Sequence, residues 1–443
     1  MADTIFALSS GRGRAGVAVF RVSGPDAAAA GERLLRRPLP EARRARLAWI
    51  HDPEDDGPLD QALVLWFPGP RSFTGEDVLE LHVHGGTGVI AAVTRALQAL
   101  PGLRLAEPGE FSRRAFLNGR FDLTAAEGLA DLINAETDAQ RRQALGQMAG
   151  RAAAVYDAWR QQLVSALAMI EADIDFADED LPEDVAARAA PLVDALMGEM
   201  RAALADERRG ERLRDGLTVA IVGPPNVGKS SLLNALARRE AAIVSDIAGT
   251  TRDVIEVHMD LGGWPVTLLD TAGLRDSADV IEREGIARAR ARAEAADLRH
   301  VMIDARDWPA LPAEVAALLD DNSIRVANKA DLSGARDGAA NGWHFISVRD
   351  GQGLDRLVAE MERRAEALLG GREAVLITRA RHRAAVEEAL VHLERFTGAL
   401  GRGELELLAE DLRLSARALG RITGRIEVDD ILDVIFSEFC IGK

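Results

Sequence analysis

Through residues 1–118, short apolar runs alternate with Gly, Pro and Asp punctuation. VAVFRVSG (17–24), ALVLWF (62–67) and VLELHVHGG (78–86) predict strands ending in turns. VIAAVTRALQAL (89–100) predicts a helix stopped by Pro101-Gly102. Together they indicate a small α+β domain. From Thr124 the apolar period becomes helical. Thr124 and Glu127 form a T-x-x-E capping box. Leu145, Met148, Ala152, Val155, Trp159, Leu163, Leu167, Ile170 and Ile174 then recur at three- and four-residue steps, the apolar face of one long helix. The acidic run DIDFADEDLPED (173–184) ends it and reads as a solvated loop rather than a metal site, and a further helix runs to about Arg214.

Residues 217–369 carry LTVAIVG, VTLLDTAG, HVMIDA, IRVAN and WHFISV, separated by helical stretches. That alternation predicts a doubly wound parallel α/β domain. The tail after Gly371 is again helical and, at roughly 70 residues, short for a separate domain. The expected organisation is multidomain, α/β and α+β. Residues 1–118 form an N-terminal domain, 119–214 and 372–443 the two parts of one helical domain, and 215–371 an inserted Ras-like P-loop domain.

Composition narrows the function. The 443 residues suit about three domains of roughly 150 residues each. With 47% hydrophobic and 28% charged residues, disordered and collagen-like chains are excluded. No run approaches the ~18 apolar residues of a spanning helix, and MADTIFALSS lacks the form of a signal peptide. Cys440 is the only cysteine, so an intrachain disulfide is excluded and a cytoplasmic protein is expected. The net charge of −17 argues against nucleic-acid binding through bulk charge; any RNA contact needs a local basic patch or a partner. Lysine occurs only at Lys229, Lys329 and Lys443, among 54 basic residues, which marks these as places needing a compact ammonium.

Two of those lysines lie in nucleotide motifs. GPPNVGKS (223–230) follows strand LTVAIV and opens helix SLLNALARR, the strand–loop–helix context of G-x-x-x-x-G-K-S. Gly223 and Gly228 let backbone N–H groups face phosphates, Lys229 meets the β and γ phosphates, and Ser230 offers a hydroxyl to Mg²⁺. DTAG (270–273) places Asp270 behind the Mg²⁺ shell and the Gly273 N–H at the γ-phosphate. GTTRD (249–253) fits a switch loop whose Thr251 completes that shell. In NKAD (328–331) the Asp331 carboxylate pairs with two guanine donors that adenine lacks. SVRDGQG (347–353) fits the last base-contacting loop. Four motifs in this order make a GTPase domain that resembles those of translation factors. Leu274 follows DTAG, so an apolar residue stands where Ras-like enzymes carry a water-orienting Gln. Asn226 is either a loop former or, through its amide oxygen, a ligand to a monovalent cation standing in for an arginine finger.

SFTGEDVLELHVHGG (72–86), AEPGEFSRRAFLNGRFDLTAAEGLADLI (106–133) and the terminal CIGK (440–443) closely resemble the MnmE/TrmE family of tRNA uridine-modification GTPases. The resemblance spans the chain. It implies an enzyme that works with an FAD-dependent MnmG/GidA-type partner in a heterotetramer or larger complex. Together they build a 5-carboxymethylaminomethyl group on wobble uridine 34 of certain tRNAs. It implies a homodimer formed through the N-terminal domain, and 5-formyltetrahydrofolate or 5,10-methylenetetrahydrofolate as one-carbon donor.

By position, the resemblance implies that Asn226, Ser245, Ile247 and Thr250 surround K⁺ and that Ser230 and Thr251 hold Mg²⁺. The nucleotide would further meet Val227, Gly228, Lys229, Ser231, Asp246, Ala248, Gly249, Asp270, Thr271, Ala272, Gly273, Asn328, Lys329, Asp331 and Ser347. Glu282 in IEREGI matches the glutamate that positions the attacking water; without the resemblance it reads as an exposed helix residue. Arg21, Glu80, Arg120 and Lys443 map to the folate pocket, where a carboxylate suits a pterin amide and cations suit a glutamyl tail. Glu80, His82 and His84 share one strand face, without further residues to make a metal site. Cys440 is either a small packing residue or a group near the one-carbon chemistry. Two departures stand out: ALSSGRGRAG replaces an A-T-P-rich start, and position 120 is Arg where the family often has Lys. A ribosome-assembly GTPase would explain residues 217–369 equally well but not the flanking motifs.

Overall fold

The computed structural model describes residues 3–11, 13–175, 188–239, 241–243, 256–270, 295–333, 338–371, 375–400, 404–426, 429–437, 439 and 441–442. The chain forms two compact units. One comprises Met1–Ala130, Gln147–Ala190 and Val391–Lys443, the other Asp131–Gly146 and Pro191–Leu390.

The first unit opens with β1 (Thr4–Leu8), β2 (Ala15–Ser23), α1 (Ala27–Leu35), β3 (Arg46–His51), β4 (Pro58–Phe67), β5 (Val78–Gly85), α2 (Thr87–Gln98) and β6 (Leu103–Leu105). The strands make one sheet ordered β3-β4-β5-β2-β1-β6. Period-two alternation divides its faces. Leu79, Leu81 and Val83 of β5 face a core closed by Leu34 of α1 and Val93 and Leu97 of α2. The opposite face keeps Glu80, His82 and His84, and leaves Val17, Leu47, Trp49 and Leu63 exposed. Helices α3 (Glu110–Leu117), α4 (Leu123–Asn134), α6 (Arg151–Asp175), α14 (Leu405–Thr423) and α15 (Asp429–Ser437) follow. α6 packs along α14 and buries Tyr156, Trp159, Leu163 and Ile170.

The second unit holds α5 (Asp138–Met148), α7 (Ala189–Leu204) and α8 (Arg209–Asp215). Next come β7 (Leu217–Val222), α9 (Lys229–Ala237), β8 (Ala242–Ile243), β9 (Glu256–Leu261), β10 (Trp264–Asp270), β11 (Leu298–Asp304) and α10 (Ala313–Ala316). β12 (Ser323–Asn328), α11 (Ala330–Ser333), β13 (Gly338–Ala340), β14 (Trp343–Phe345), α12 (Leu354–Leu369) and most of α13 (Ala380–Ala399) complete it. The sheet order is β13-β14-β12-β11-β7-β10-β9-β8. β14, β12, β11, β7 and β10 run parallel; β13 pairs antiparallel with β14 at one edge, and at the other β9 pairs antiparallel with both β10 and β8. β7 and β11 are buried nearly throughout because both their faces are covered.

Three expectations need correction. The long helix is two, α5 and α6, because the chain breaks at Ala149-Gly150, with Gly150 at φ +79°. Leu145 and Met148 are exposed, and the buried stripe of α6 runs through Tyr156 and Ala166 instead of Val155 and Leu167. The helix expected to reach Arg214 is α7 and α8, separated where Glu207 and Arg208 take left-handed backbone angles. The cap of α4 is Asp122, not Thr124. Asp122 Oδ1 accepts from the Ala125 N–H at 2.9 Å and from the Thr124 hydroxyl at 2.6 Å, since an ionised carboxylate is the stronger acceptor there.

Candidate functional site: a phosphate loop at the sheet's carboxyl edge

The carboxyl ends of β7, β10, β11, β12 and β14 lie along one edge of the parallel sheet. In open α/β sheets that edge, where the strand order reverses, is where ligands bind. β7 is the centre of the reversal and runs into the phosphate loop. Gly223 (φ +148°) cannot carry a side chain, since a Cβ would sit 2.3 Å from the Met302 carbonyl of β11. Gly228 (φ +99°) would place a Cβ 2.4 Å from Asn328 Nδ2. Between them Val227 is buried in the unit's core, while Asn226, at φ +63°, and Ser230 are exposed. Ser231 follows in the first turn of α9, whose amino end carries Lys229. Lys229 Nζ donates to the carbonyls of Gly223 (2.8 Å) and Pro224 (3.0 Å), so its ammonium lies inside the loop it is expected to serve.

The base-reading segment is tied to this loop twice. Asn328, buried at the end of β12, donates from Nδ2 to the Val227 carbonyl at 2.8 Å and accepts the Val348 N–H at 3.2 Å. One side chain thus joins the phosphate loop, the NKAD turn and the loop after β14. Ser347 is fully buried in that last loop, and its Oγ accepts the Asp350 N–H at 3.3 Å. Lys329, at φ +65°, donates to the Asn226 carbonyl at 2.8 Å and to Asp304 Oδ2 at 3.0 Å. Asp331 opens α11 with its side chain exposed.

Asp304 is a residue the sequence reading missed. It ends β11, and Arg306 grips it through Nε (3.0 Å) and Nη2 (2.7 Å) while the Arg306 N–H adds a bond at 3.1 Å. Arg306, then Lys329, hold this carboxyl far below the usual carboxylate range. The available signal was its place, an acidic residue closing the strand next to the reversal.

Much of the expected site falls outside the described residues. Ser245, Asp246, Ile247, Ala248, Gly249, Thr250, Thr251, Thr271, Ala272, Gly273, Glu282, Cys440 and Lys443 lie there, as does the Asp270 side chain; its backbone ends β10.

In the other unit Arg21 and Glu80 face each other in register on β2 and β5. Arg21 Nε and Nη2 both donate to Glu80 Oε1 (3.1 and 3.0 Å), and the guanidinium lies 4.9 Å from the Phe73 ring and 5.7 Å from Phe111. Glu80 Oε2 has only His82 Nε2, at 3.4 Å, among the described residues. The loop that carries Phe73 is pinned by Thr74 against Ser23 (2.7 Å) and by Asn118 Nδ2 on the Thr74 carbonyl (2.7 Å). Gly75 of the same loop abuts Asn118 and Arg120, so Arg21 and Arg120 flank one loop. The exposed Arg120 side chain has no polar partner among the described residues. Among the described residues no group of three or more His, Cys, Asp and Glu is arranged to hold a metal ion. No described helix is long and apolar enough to cross a membrane.

Fold and loop together define a P-loop GTPase domain within a larger chain. The family description "GTP-binding protein TrmE N-terminus" matches residues 4–120, and "MnmE helical domain" matches 123–440. A protein of Parvibaculum lavamentivorans named tRNA modification GTPase MnmE is 57% identical, covering 100% of both chains. One of the same name from Paramagnetospirillum magneticum is 56% identical with the same coverage. The solved G domain of the T. maritima FeoB iron transporter is 25% identical over 34% of this chain and 98% of that one, at a TM-score of 0.24, too slight a likeness to argue from. The chain belongs to the MnmE/TrmE family of tRNA modification GTPases.

Proposed function

We propose that the chain is a K⁺-activated GTP hydrolase that acts with an FAD-dependent MnmG/GidA-type partner on tRNA. The product is the 5-carboxymethylaminomethyl group on wobble uridine 34. The observation that carries this reading is family membership over the full length together with an intact phosphate loop tied to its base-reading turn.

The residues present fit the ions this requires. The exposed hydroxyl of Ser230 opens α9, where Mg²⁺ takes an oxygen ligand beside the phosphates, with Thr251 as its expected companion. The exposed, left-handed Asn226 offers an amide oxygen for K⁺ where the loop turns, with Ser245, Ile247 and Thr250 as the other expected ligands. Lys229 exchanges its two carbonyl partners for phosphate oxygens when GTP enters. Asp331 selects guanine, and Glu282 orients the water.

Tetrahydrofolate, when bound, supplies the one-carbon unit. Because Arg21 spends both its bonds on Oε1, Glu80 Oε2 is left to accept from a pterin amide. Arg120 and Lys443 suit the anionic tail, and Cys440 would stand near the one-carbon chemistry. Val17, Leu47, Trp49 and Leu63 on the open sheet face suit burial in a homodimer. Packing of α6 along α14 supports the joining of residues 151–175 and 405–423 in one helical domain across the intervening GTPase.

The test is GTP hydrolysis in KCl and in NaCl, with calorimetry of 5-formyltetrahydrofolate on the same protein. Hydrolysis faster in KCl, a smaller difference in Asn226→Ala, and saturable binding near one folate per chain are expected. Equal rates in both salts would remove the potassium role, and absent folate binding in an active dimer would remove the folate role.

A further inference from the structure

Asp304 is a carboxylate at the nucleotide site, among the described residues, that no expected role absorbs. Its two oxygens have about four acceptor positions between them. Oδ1 takes the Arg306 N–H and Nε, and Oδ2 takes Arg306 Nη2 and Lys329 Nζ. All are filled, so the carboxylate has no free rotation. Lys329 is pinned at one end by its left-handed backbone and at the other by Asp304 Oδ2 and the Asn226 carbonyl. The Lys329 ammonium therefore bridges the end of β11 to the turn of the phosphate loop.

We infer that Asp304 is a positioning residue for guanine-nucleotide binding: through Lys329 it holds the NKAD turn against the phosphate loop at Asn226. The inference rests on the GTP-binding reading. Asn328 makes the other tie between the same segments, but by a neutral amide. The tie through Lys329 is charge-assisted, and it alone fixes the side chain that precedes Asp331 by two residues. Without Asp304 the ammonium keeps only the Asn226 carbonyl, and the turn has to be ordered at the moment the base arrives. Arg306 serves to orient the carboxylate. Its exposed side chain matters less, since its backbone N–H remains on Oδ1 when the side chain is removed.

The experiment follows release of a fluorescent GDP analogue from the full-length protein, with steady-state GTP hydrolysis beside it. Asp304→Asn keeps the shape and removes the charge. Release should accelerate about 10-fold, the scale of one partly exposed charge-assisted hydrogen bond. KM for GTP should rise by a similar factor with kcat within about 2-fold, since the group is absent from the reacting atoms. Lys329→Met should show a comparable loss, and the double variant should be no worse than Lys329→Met alone, because Asp304 acts through that lysine. Asp304→Glu should restore part of the affinity, and Arg306→Ala should lose less than Asp304→Asn, because the Arg306 N–H and Lys329 still hold the carboxylate. Wild-type release rates in Asp304→Asn, or losses that multiply in the double variant, would overturn the inference. A parent protein that binds no GDP at all would instead remove the GTP-binding reading beneath it.

Discussion

His300 provides a test of how the GTPase core is built. It lies on β11 in register with Ile221 of β7 and Ile324 of β12, fully buried. Neither ring nitrogen has a hydrogen-bond partner among the described residues. Burial, then the nearby His344, push it down from 6.5 to about 4. The folded state therefore holds a neutral ring at pH values where the unfolded chain takes up a proton. The stabilising contribution is complete above about pH 6.5 and is lost as pH falls toward 4. At 1.36 kcal/mol per unit, the whole window is worth about 3 kcal/mol. Between pH 7 and pH 5 the loss is about 2 kcal/mol, because at pH 5 the unfolded ring is almost fully protonated and the folded one about one-tenth. His300→Leu replaces an unsatisfied polar ring by an apolar side chain, so stability at pH 7 should be equal or higher by about 1 kcal/mol. Hydrogen exchange of β11 and β12 peptides from pH 7.5 to 5, corrected for intrinsic rates, reads the opening free energy locally. The parent should lose about 2 kcal/mol more than the variant over pH 7 to 5. Parallel curves, or an NMR titration placing folded His300 near pH 6.5, would refute the argument.

Three further substitutions probe other links. Gly228→Ala forces a Cβ to 2.4 Å from Asn328 Nδ2 at a left-handed position, and should cost at least about 10-fold in GDP affinity by fluorescence titration. Asn328→Ala strands the Val227 carbonyl and the Val348 N–H, about 2–4 kcal/mol shared between GDP affinity and thermal stability. Asp122→Ala should cost about 1 kcal/mol of urea stability through loss of the α4 cap, and an unchanged midpoint would contradict that assignment.

The parallel strands were legible because LTVAIV, HVMI and IRVA are short, mainly apolar stretches closed by Gly, Asp and Asn at the site. β3 was not, since RLAWIH buries only Ala48 and Ile50 and carries Leu47 and Trp49 outward. Such a strand, at the sheet edge, has no periodic signal strong enough to separate it from a loop. The α5–α6 break hid because the apolar steps continue across Gly150, and only the backbone angle at that glycine ends the helix. In the site, the phosphate loop and NKAD turn announce themselves by local spacing. The ties between them do not. Asp304 with Lys329 and Asn328 with Val227 join residues that only the sheet's strand order brings together.

The proposed guanine reader at this edge of the sheet is Asp331. The direct measurement is hydrolysis of GTP and of xanthosine triphosphate by the parent and by Asp331→Asn. Exchange of a carboxylate for an amide swaps an acceptor for a donor, which suits the exocyclic oxygen of xanthine. The variant should lose GTP turnover at low substrate and gain it with xanthosine triphosphate. An Asp331→Asn protein that still prefers GTP as the parent does would contradict it.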